Sequence, residues 1–427
     1  MEVWKWEGWP GSAMRKWREW REAFEDPFRE ELLASGAPDL DKVLSLLPRP
    51  TVQQGIDPNV INGNIERLET NPEVNLGHPL IDLSVKTGLA HIDATFQGDH
   101  PKYGLGSYGR SVVDGFPQII ISVVDALSAW GMKRRAAQLW RYWLLNMVHD
   151  DGRLTYPAAC LGEYGQLLHT AGILEERAGT EGWWDESFRI LDSMAEHVLR
   201  LRREAEKDGS GLVVGPADED LYSMGRRYFH TNVWLAKGLE RWAELCRRVN
   251  ASSSTPSNTI REVAEALARD TVAAIRMTWP EDPADWWLPP CIEAVERPRS
   301  LTDTLMASYT NYRYYPELLS SGLLPSDLAN RVVEARLSGG GQLCGMSRFD
   351  DWTDDWPLAE YLYGLWSLGR KDDFLLSLYG HIAYQQDKDN MTACEQLTFP
   401  PGRPVAPYCL PSQLVPARAA RLLVKDE

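Results

Sequence analysis

The sequence predicts an all-α protein, and three observations carry that expectation. Apolar residues recur at helical spacing through 80–96, 116–131, 133–148, 163–178, 184–206, 229–248, 257–278, 302–320, 325–337, 357–369, 371–385 and 411–424, while alternating β-branched runs with turn signals are missing. The segments are of two kinds. FPQIIISVVDALSAWG (116–131) is apolar nearly all round, as in a helix buried on both sides, whereas WDESFRILDSMAEHVLRLRREAE (184–206) has one apolar stripe and one charged face. An inner and an outer helical layer are therefore expected. Third, the connections are unequal: Gly131-Met132 and Gly369-Arg370 are brief, but 97–115, 148–162, 207–228, 279–301, 338–356 and 386–410 are long. Long loops in a compact domain are usually functional or disordered, and these carry aromatic and acidic residues, not linker composition. Recurring at every second connection, these would gather at one end of a helical barrel and form one face.

Composition narrows the chemistry. The chain has 427 residues, 44% hydrophobic and 25% charged, the profile of an ordinary globular protein. Residues 1–75 are irregular, with Pro, Gly and charge interrupting short pieces such as 14–34, and are expected to pack as an extension on a helical barrel over 76–427. The stretch NASSSTPSN (250–258) reads as an exposed flexible turn. A net charge of −16 opposes a nucleic-acid partner and an anionic membrane surface, and favours neutral or cationic substrates. No apolar run reaches membrane-spanning length. The N-terminus alternates Trp with charge and has no signal-peptide core, so the protein is either intracellular or lost a targeting segment before this numbering begins. Six cysteines show no metal-finger spacing, although Cys394 and Cys409 could close one local loop. Many of the 18 tryptophans fall in loops or at helix edges, where an indole either packs a loop over the core or offers a flat face to a sugar ring.

The most informative stretch is GLVVGPADEDLYSMGRRYFHT (211–231). It puts Asp218, Glu219 and Asp220 in a Gly/Pro-marked loop, followed by Tyr222, Tyr228 and Phe229. A carboxyl among like charges and aromatic rings is a candidate for a raised pKa and for general acid catalysis. Acidic residues also favour helix starts, so a capping role is the plain alternative.

This layout resembles the six-hairpin (α/α)6 glycosidases, over roughly residues 80–424. Two motifs carry the resemblance. Gly215, Pro216, Asp218 and Glu219, with Ala217 inserted and Thr231-Asn232 opening a helix, are similar to the acid-bearing motif of the maltose- and kojibiose-phosphorylase group. The resemblance implies that Glu219 is the general acid, with Asp218 or Asp220 as alternatives because of the inserted residue. Glu395-Gln396, Gly402 and Ser412, in TACEQLTFPPGRPVAPYCLPSQLVPARAARLL (392–423), resemble the last hairpin of glucoamylase-like enzymes. There the resemblance implies that Glu395 is the general base, a residue the phosphorylases lack. Together they imply a glycoside hydrolase of inverting mechanism acting on an oligo- or polysaccharide, with no cofactor and no metal. In such an enzyme the two carboxyls stand roughly 6.5–9.5 Å apart, with a water between.

Other residues are candidates for substrate binding. Loop 148–162 offers Asp151, Arg153 and Tyr156, although an Asp-Gly turn would explain Asp151. KYGLGSYGR offers Tyr103, Tyr108 and Arg110; DWWLPPCIE offers Trp286 and Trp287 as a rim platform. SRFDDWTDDWP (347–357) offers Asp350, Asp351, Trp352, Asp354, Asp355 and Trp356, as sugar-binding groups or as a solvated acidic turn. It also holds DDxxD, the magnesium–diphosphate motif of terpene synthases. That motif belongs on a helix, and Trp356-Pro357 with Gly339, Gly340 and Gly341 places this one in a loop. Glu163 and His169 are six apart, the wrong spacing for a shared metal. On the same fold the alternatives are a sugar isomerase or epimerase, which needs paired histidines where only His230 adjoins the acidic loop, and a polysaccharide lyase, which the negative charge opposes. A non-catalytic carbohydrate-binding protein would keep the tryptophans without the paired acids.

Overall fold

The computed structural model describes residues 2–3, 74–76, 79–104, 113–157, 159–207, 209–217, 225–279, 285–293, 295–343, 345–350, 352–387, 391–398, 404–405 and 409–425. Its helices are α1 (Pro79–Thr95), α2 (Pro117–Ala129), α3 (Lys133–Met147), α4 (Gly162–Ala178), α5 (Trp184–Lys207), α6 (Phe229–Arg248), α7 (Ser257–Thr278), α8 (Leu305–Tyr309), α9 (Tyr315–Ser320), α10 (Ser326–Ser338), α11 (Leu358–Ser367), α12 (Lys371–Gly380), α13 (Leu410–Gln413) and α14 (Val415–Ala420). They fall where the apolar periodicity puts them, within a few residues at each end. A π turn at Thr310–Tyr314 joins α8 to α9, and a second at His381–Gln385 extends α12. Pro411 and Pro416 sit in the first turns of α13 and α14. A proline has no N–H to carry a helix through, so the last helical stretch comes in two pieces.

Two layers form as expected. Pro117 opens α2, and every residue from Pro117 to Ser128 is buried. α5 buries one stripe, including Ile190, Leu191, Met194 and Val198. Among the described residues α2, α4, α6, α9, α11 and α14 pack side by side in that order, and α14 returns against α2 to close the ring. Trp130 ties the closure by donating its Nε1–H to the carbonyl of Ala417 (2.7 Å). The helices α1, α3, α5, α7, α10 and α12 lie against the outside of this ring. Every long connection runs from an outer helix to the start of an inner one, and every short one leaves the end of an inner helix. The long loops therefore share one face of an all-α toroid.

The tightest joint of the ring is between α4 and α6. A Cβ on Gly165 would overlap the carbonyl of Trp234, and one on Gly238 would overlap Gly165. Because both backbones meet there, no side-chain rotation relieves a substitution. Gly165→Ala is expected to destabilise the fold by about 3 kcal/mol, at the upper end of overpacking costs. A lower denaturant midpoint at unchanged slope checks it; an unchanged midpoint would mean the helices do not touch so closely.

Strands occupy a minor share, and the sequence did not indicate them. β1 (Glu2–Val3) pairs antiparallel with β7 (Val424–Lys425). Between them β2 (Gln342–Leu343), β3 (Met346–Phe349), β4 (Trp352–Asp354), β5 (Gln396–Thr398) and β6 (Pro404–Val405) form one antiparallel sheet in sequence order. The stretches 338–356 and 386–410, expected as loops, thus share this sheet. Strands of two to four residues are too short to display an alternation. Apart from β1 and residues 74–75, the N-terminal extension lies outside the described residues.

Candidate active site

Glu395 enters the last inner stretch from the loop face, and its backbone is pinned from three sides. Gln385 donates its amide to the carbonyls of Cys394 (2.9 Å) and Glu395 (2.8 Å). Ser412, in the first turn of α13, donates to the carbonyl of Cys394 (3.0 Å). Gln413 accepts from the amide of Ala393 (2.7 Å) and donates to the carbonyl of Met391 (3.0 Å). The side chain of Glu395 is half-buried. Gly402 lies outside the described residues, and Cys394 and Cys409 are free thiols, so they close no loop.

The sheet brings a second carboxyl to Gln396, the residue after Glu395. In the β4–β5 pairing Asp354 stands opposite Gln396, whose amide donates to Asp354 Oδ2 (3.0 Å). Asp354 is 2% exposed, and its Oδ1 finds no hydrogen-bond donor. Burial first, and then the Glu395 charge, push its carboxyl well above the usual carboxylate range. Cys409, at the start of α13, feels the same pair: burial and then Glu395 raise its thiol, which also hydrogen-bonds Tyr103. Asp355 turns away from this group. It accepts from the amide of Ser347 (2.8 Å) and meets Nδ1 of His381 (3.1 Å), fixing the sheet to the second π turn.

A belt of rings follows the same mouth. Phe116 packs against Tyr103 (5.8 Å), Tyr156 (5.5 Å) and Trp356 (5.7 Å between centroids). Trp356 meets Tyr312, Tyr312 meets Phe349, and Tyr309 meets both of those. Tyr314 then stacks on His230 at 4.1 Å. The π turn makes this possible, since its extra residue lets Tyr309, Tyr312 and Tyr314 all join one ring contact network. Beneath the belt, Arg313 bridges Glu163 (2.8 Å) and Glu317 (2.9 Å) and lies over Trp356. Burial raises the carboxyl of Glu317 although Arg313 pulls it down, and His230 stands 4.0 Å from it. Further down the axis is a cavity of about 250 Å³, lined by Asp125, Arg177, Glu360, Tyr363 and Arg418 among others.

The acid-bearing loop is fixed at both ends. Gly215 and Arg226 exchange two backbone hydrogen bonds at 3.1 Å, and Asn232 accepts from the amide of Val213 (2.8 Å). Arg227 pairs with Glu293 (2.7 Å). Asp218, Glu219, Asp220 and Tyr222 lie between these anchors, outside the described residues, as do Tyr108, Arg110 and Asp351.

The other candidates lie as follows. Asp151 and Arg153 pair with each other (2.7 Å) on an exposed turn, the geometry of the Asp-Gly alternative. Trp287 is 3% exposed and edge-on to Trp286, which packs against Gly339, so Trp287 has no open face to serve as a rim platform. Trp356, at 5% exposure, is part of the wall and not a free platform. Trp352 remains half-buried on β4, and Gln396 serves Asp354. Glu163 pairs with Arg313, and among the described residues no group of three His, Cys, Asp or Glu side chains could hold a metal. Sequence reasoning missed Phe116, Tyr309, Tyr312, Arg313 and Glu317. The run SYTNYRYYPE (308–317) was their signal: a helix with rings on every side has no solvent face.

No family model matches the sequence, and no curated protein matches it. Solved structures do match the fold. A glycosidase aligns with a TM-score of 0.56 at 14% identity, over 86% of this chain and 99% of that one. A variant glycosidase in complex with glucose gives 0.55 at 13% identity, over the same shares. A metal-independent alpha mannosidase from Streptococcus pneumoniae, in a non-productive complex with alpha-1,6-mannobiose, gives 0.50 at 10%, again over 86% and 99%. The chain therefore has the α/α-toroid fold found in these glycosidases.

Proposed function

We propose that the protein is a glycoside hydrolase that inverts the anomeric centre, with Glu395 as general base and Glu219 as general acid. Asp218 is the alternative acid. The observation that carries this reading is Glu395, half-buried on a backbone held by Gln385 and Ser412 at the loop face of a glycosidase-type toroid. Glu395 takes a proton from water, which attacks the anomeric carbon as Glu219 protonates the departing oxygen on the other face. The half-buried rings Phe116, Phe349 and Trp352 supply apolar surface for a sugar's C–H faces, Tyr222 is a further proposed contact, and the buried Tyr103 and Tyr156 back Phe116 from behind. The neighbours solved with glucose and with mannobiose favour a neutral hexoside, in keeping with the negative charge of this chain.

An isomerase reading is weaker, because His230 and His381 are both fully buried in the wall. The test is a panel of α- and β-linked gluco-, manno- and galacto-oligosaccharides, with product anomers followed by proton NMR. Hydrolysis to the inverted anomer that is lost in Glu219→Gln and Glu395→Gln is the expected outcome. Activity surviving both substitutions would place the chemistry on other carboxyls.

A further inference from the structure

The bore of the toroid is hollow away from the mouth. Its cavity of about 250 Å³ takes side chains from all six inner helices: Asp125 on α2, His169 on α4, Trp234 on α6, Ser320 on α9, Glu360 on α11 and Arg418 on α14. Neither Glu395 nor any ring of the aromatic belt is in its wall. The lining reaches Arg177 in the last turn of α4 and Ser320 at the end of α9, and both side chains are part-exposed. Inner helices start at the long loops, so their ends, and the opening of this cavity, lie at the opposite face of the toroid.

The protein uses the polar groups of the cavity only in part. Arg418 gives Nε to Asp125 and Nη2 to Glu360 Oε1, and Arg177 gives Nη1 to Asp125 Oδ1. Glu360 Oε2 and Arg418 Nη1 take no partner among the described residues, although Glu360 is only 7% and Arg418 4% exposed. His169 makes no hydrogen bond among the described residues, and its Nδ1 is enclosed. Burial lowers its pKa to about 3, so it is neutral at pH 7. Buried polar groups in that state cost free energy until something hydrogen-bonds them. Two carboxylates match two guanidiniums, so the lining has no net charge with which to select an ion. A carboxylate oxygen beside a guanidinium N–H is an acceptor next to a donor, the pattern that two neighbouring hydroxyls fill. Trp234, Ile121 and Ile173 make the rest of the wall apolar. The indole is fixed by donating Nε1–H to the carbonyl of Glu317 (2.7 Å) and by the edge of His169 (5.5 Å). Such a ring offers a flat face to sugar C–H groups. The volume exceeds that of a few waters, at about 30 Å³ each, and falls short of a drug-sized site of roughly 300–1,000 Å³.

We propose that this end of the bore is a second binding site, for a neutral polyol the size of one sugar ring, separate from the site of hydrolysis. Its ligand is uncharged, because an anion would have to draw a guanidinium off its carboxylate and a cation the reverse. The inference goes beyond the proposed hydrolysis and does not rest on it.

The experiment uses the full chain carrying ¹³C at the ring Cε1 of histidine. It is titrated by NMR at about pH 7 with glucose, mannose, glycerol and glucuronate, each to about 100 mM, far above a Kd of about 1 mM. The His169 signal is assigned by its absence in His169→Gln. Glucose or mannose is expected to move it along a saturating curve, while glucuronate leaves it in place. A response to hexoses alone or one shared with glycerol supports the site, and tells a sugar ring from a shorter polyol. Ile173→Phe fills the cavity from its wall and should abolish the response. Ser320→Leu fills it from the open end and decides the matter if Ile173→Phe does not fold. A signal that no neutral polyol moves would leave a water-filled cavity and overturn the proposal. So would a response to glucuronate equal to that to glucose, or one that persists unchanged in both filled variants. A panel without hydrolysis refutes the proposed function and leaves this titration standing.

Discussion

Glu395→Gln is expected to lower kcat on a cleaved glycoside by roughly a thousandfold, within the usual contribution of a positioned acid or base. KM should change little, since Gln keeps the shape and one hydrogen-bonding oxygen. The backbone of this segment is held by Gln385, Ser412 and Gln413, which the substitution leaves in place, so the variant should fold with little change in melting temperature. Loss of kcat at constant stability separates chemistry from structure. A drop in kcat matched by an equal loss of stability would make Glu395 a scaffold residue.

The largest expected stability change lies on the toroid axis. Arg418 bridges Asp125 (2.8 Å) and Glu360 (2.6 Å), all three nearly sealed between α2, α11 and α14. Arg177 and the hydroxyl of Tyr363 also serve Asp125. Arg418→Met leaves Glu360 without its cation and Asp125 with half of its support, at a cost of about 3–5 kcal/mol for a broken buried pair. The pH dependence has a definite sign. Burial pushes Asp125 up, but Arg418 and Arg177 more than offset it, and the carboxyl ends well below the usual range. Its stabilisation is complete above the unfolded value of about 3.9 and is lost as pH falls towards the folded one. The stability gap between wild type and Arg418→Met should thus be full at pH 7 and narrow below about pH 4. Denaturant titrations of both proteins at several pH values check it; a gap that stays constant into acid would mean that lost packing, not charge, accounts for the cost.

His169 adds a second acid-sensitive contribution at the same level of the bore. Burial lowers its pKa to about 3, so it is neutral in the folded protein at neutral pH. Its contribution is complete above the unfolded value of about 6.5 and declines as pH falls from there towards 3. His169→Gln should flatten the wild-type loss of stability between pH 6.5 and 4, and an unchanged slope would remove His169 from the account.

Much of this molecule was legible in the sequence, for reasons that particular residues make clear. The all-round apolar run of α2 and the striped α5 carry their layer in their periodicity, because a helix reports its surroundings every 3.6 residues. Alternating loop lengths showed that the long connections would gather at one end of the toroid. The Glu395–Ser412 motif was legible because both ends of one short connection are written close together, and Ser412 does hold the carbonyl of Cys394, the residue before Glu395. Asp354 was visible only as one acid in a run of acids. Its distinction comes from pairing with Gln396, a partner 42 positions away through two short strands. The pairing of Arg313 with Glu163 was hidden for the same reason: it spans 150 positions and needs the closed ring to exist first. For the tryptophans the sequence left two readings open, and Trp287 and Trp356 are both buried in the wall, because an indole large enough for a platform suits a wall equally well.

The most direct test of the central claim is proton NMR of the sugar released in the first minutes of hydrolysis, before mutarotation blurs the anomers. A protein that uses Glu395 as a base on water must release the anomer opposite to the bond it cleaved. Release of the same anomer would demand a covalent intermediate and contradict the account.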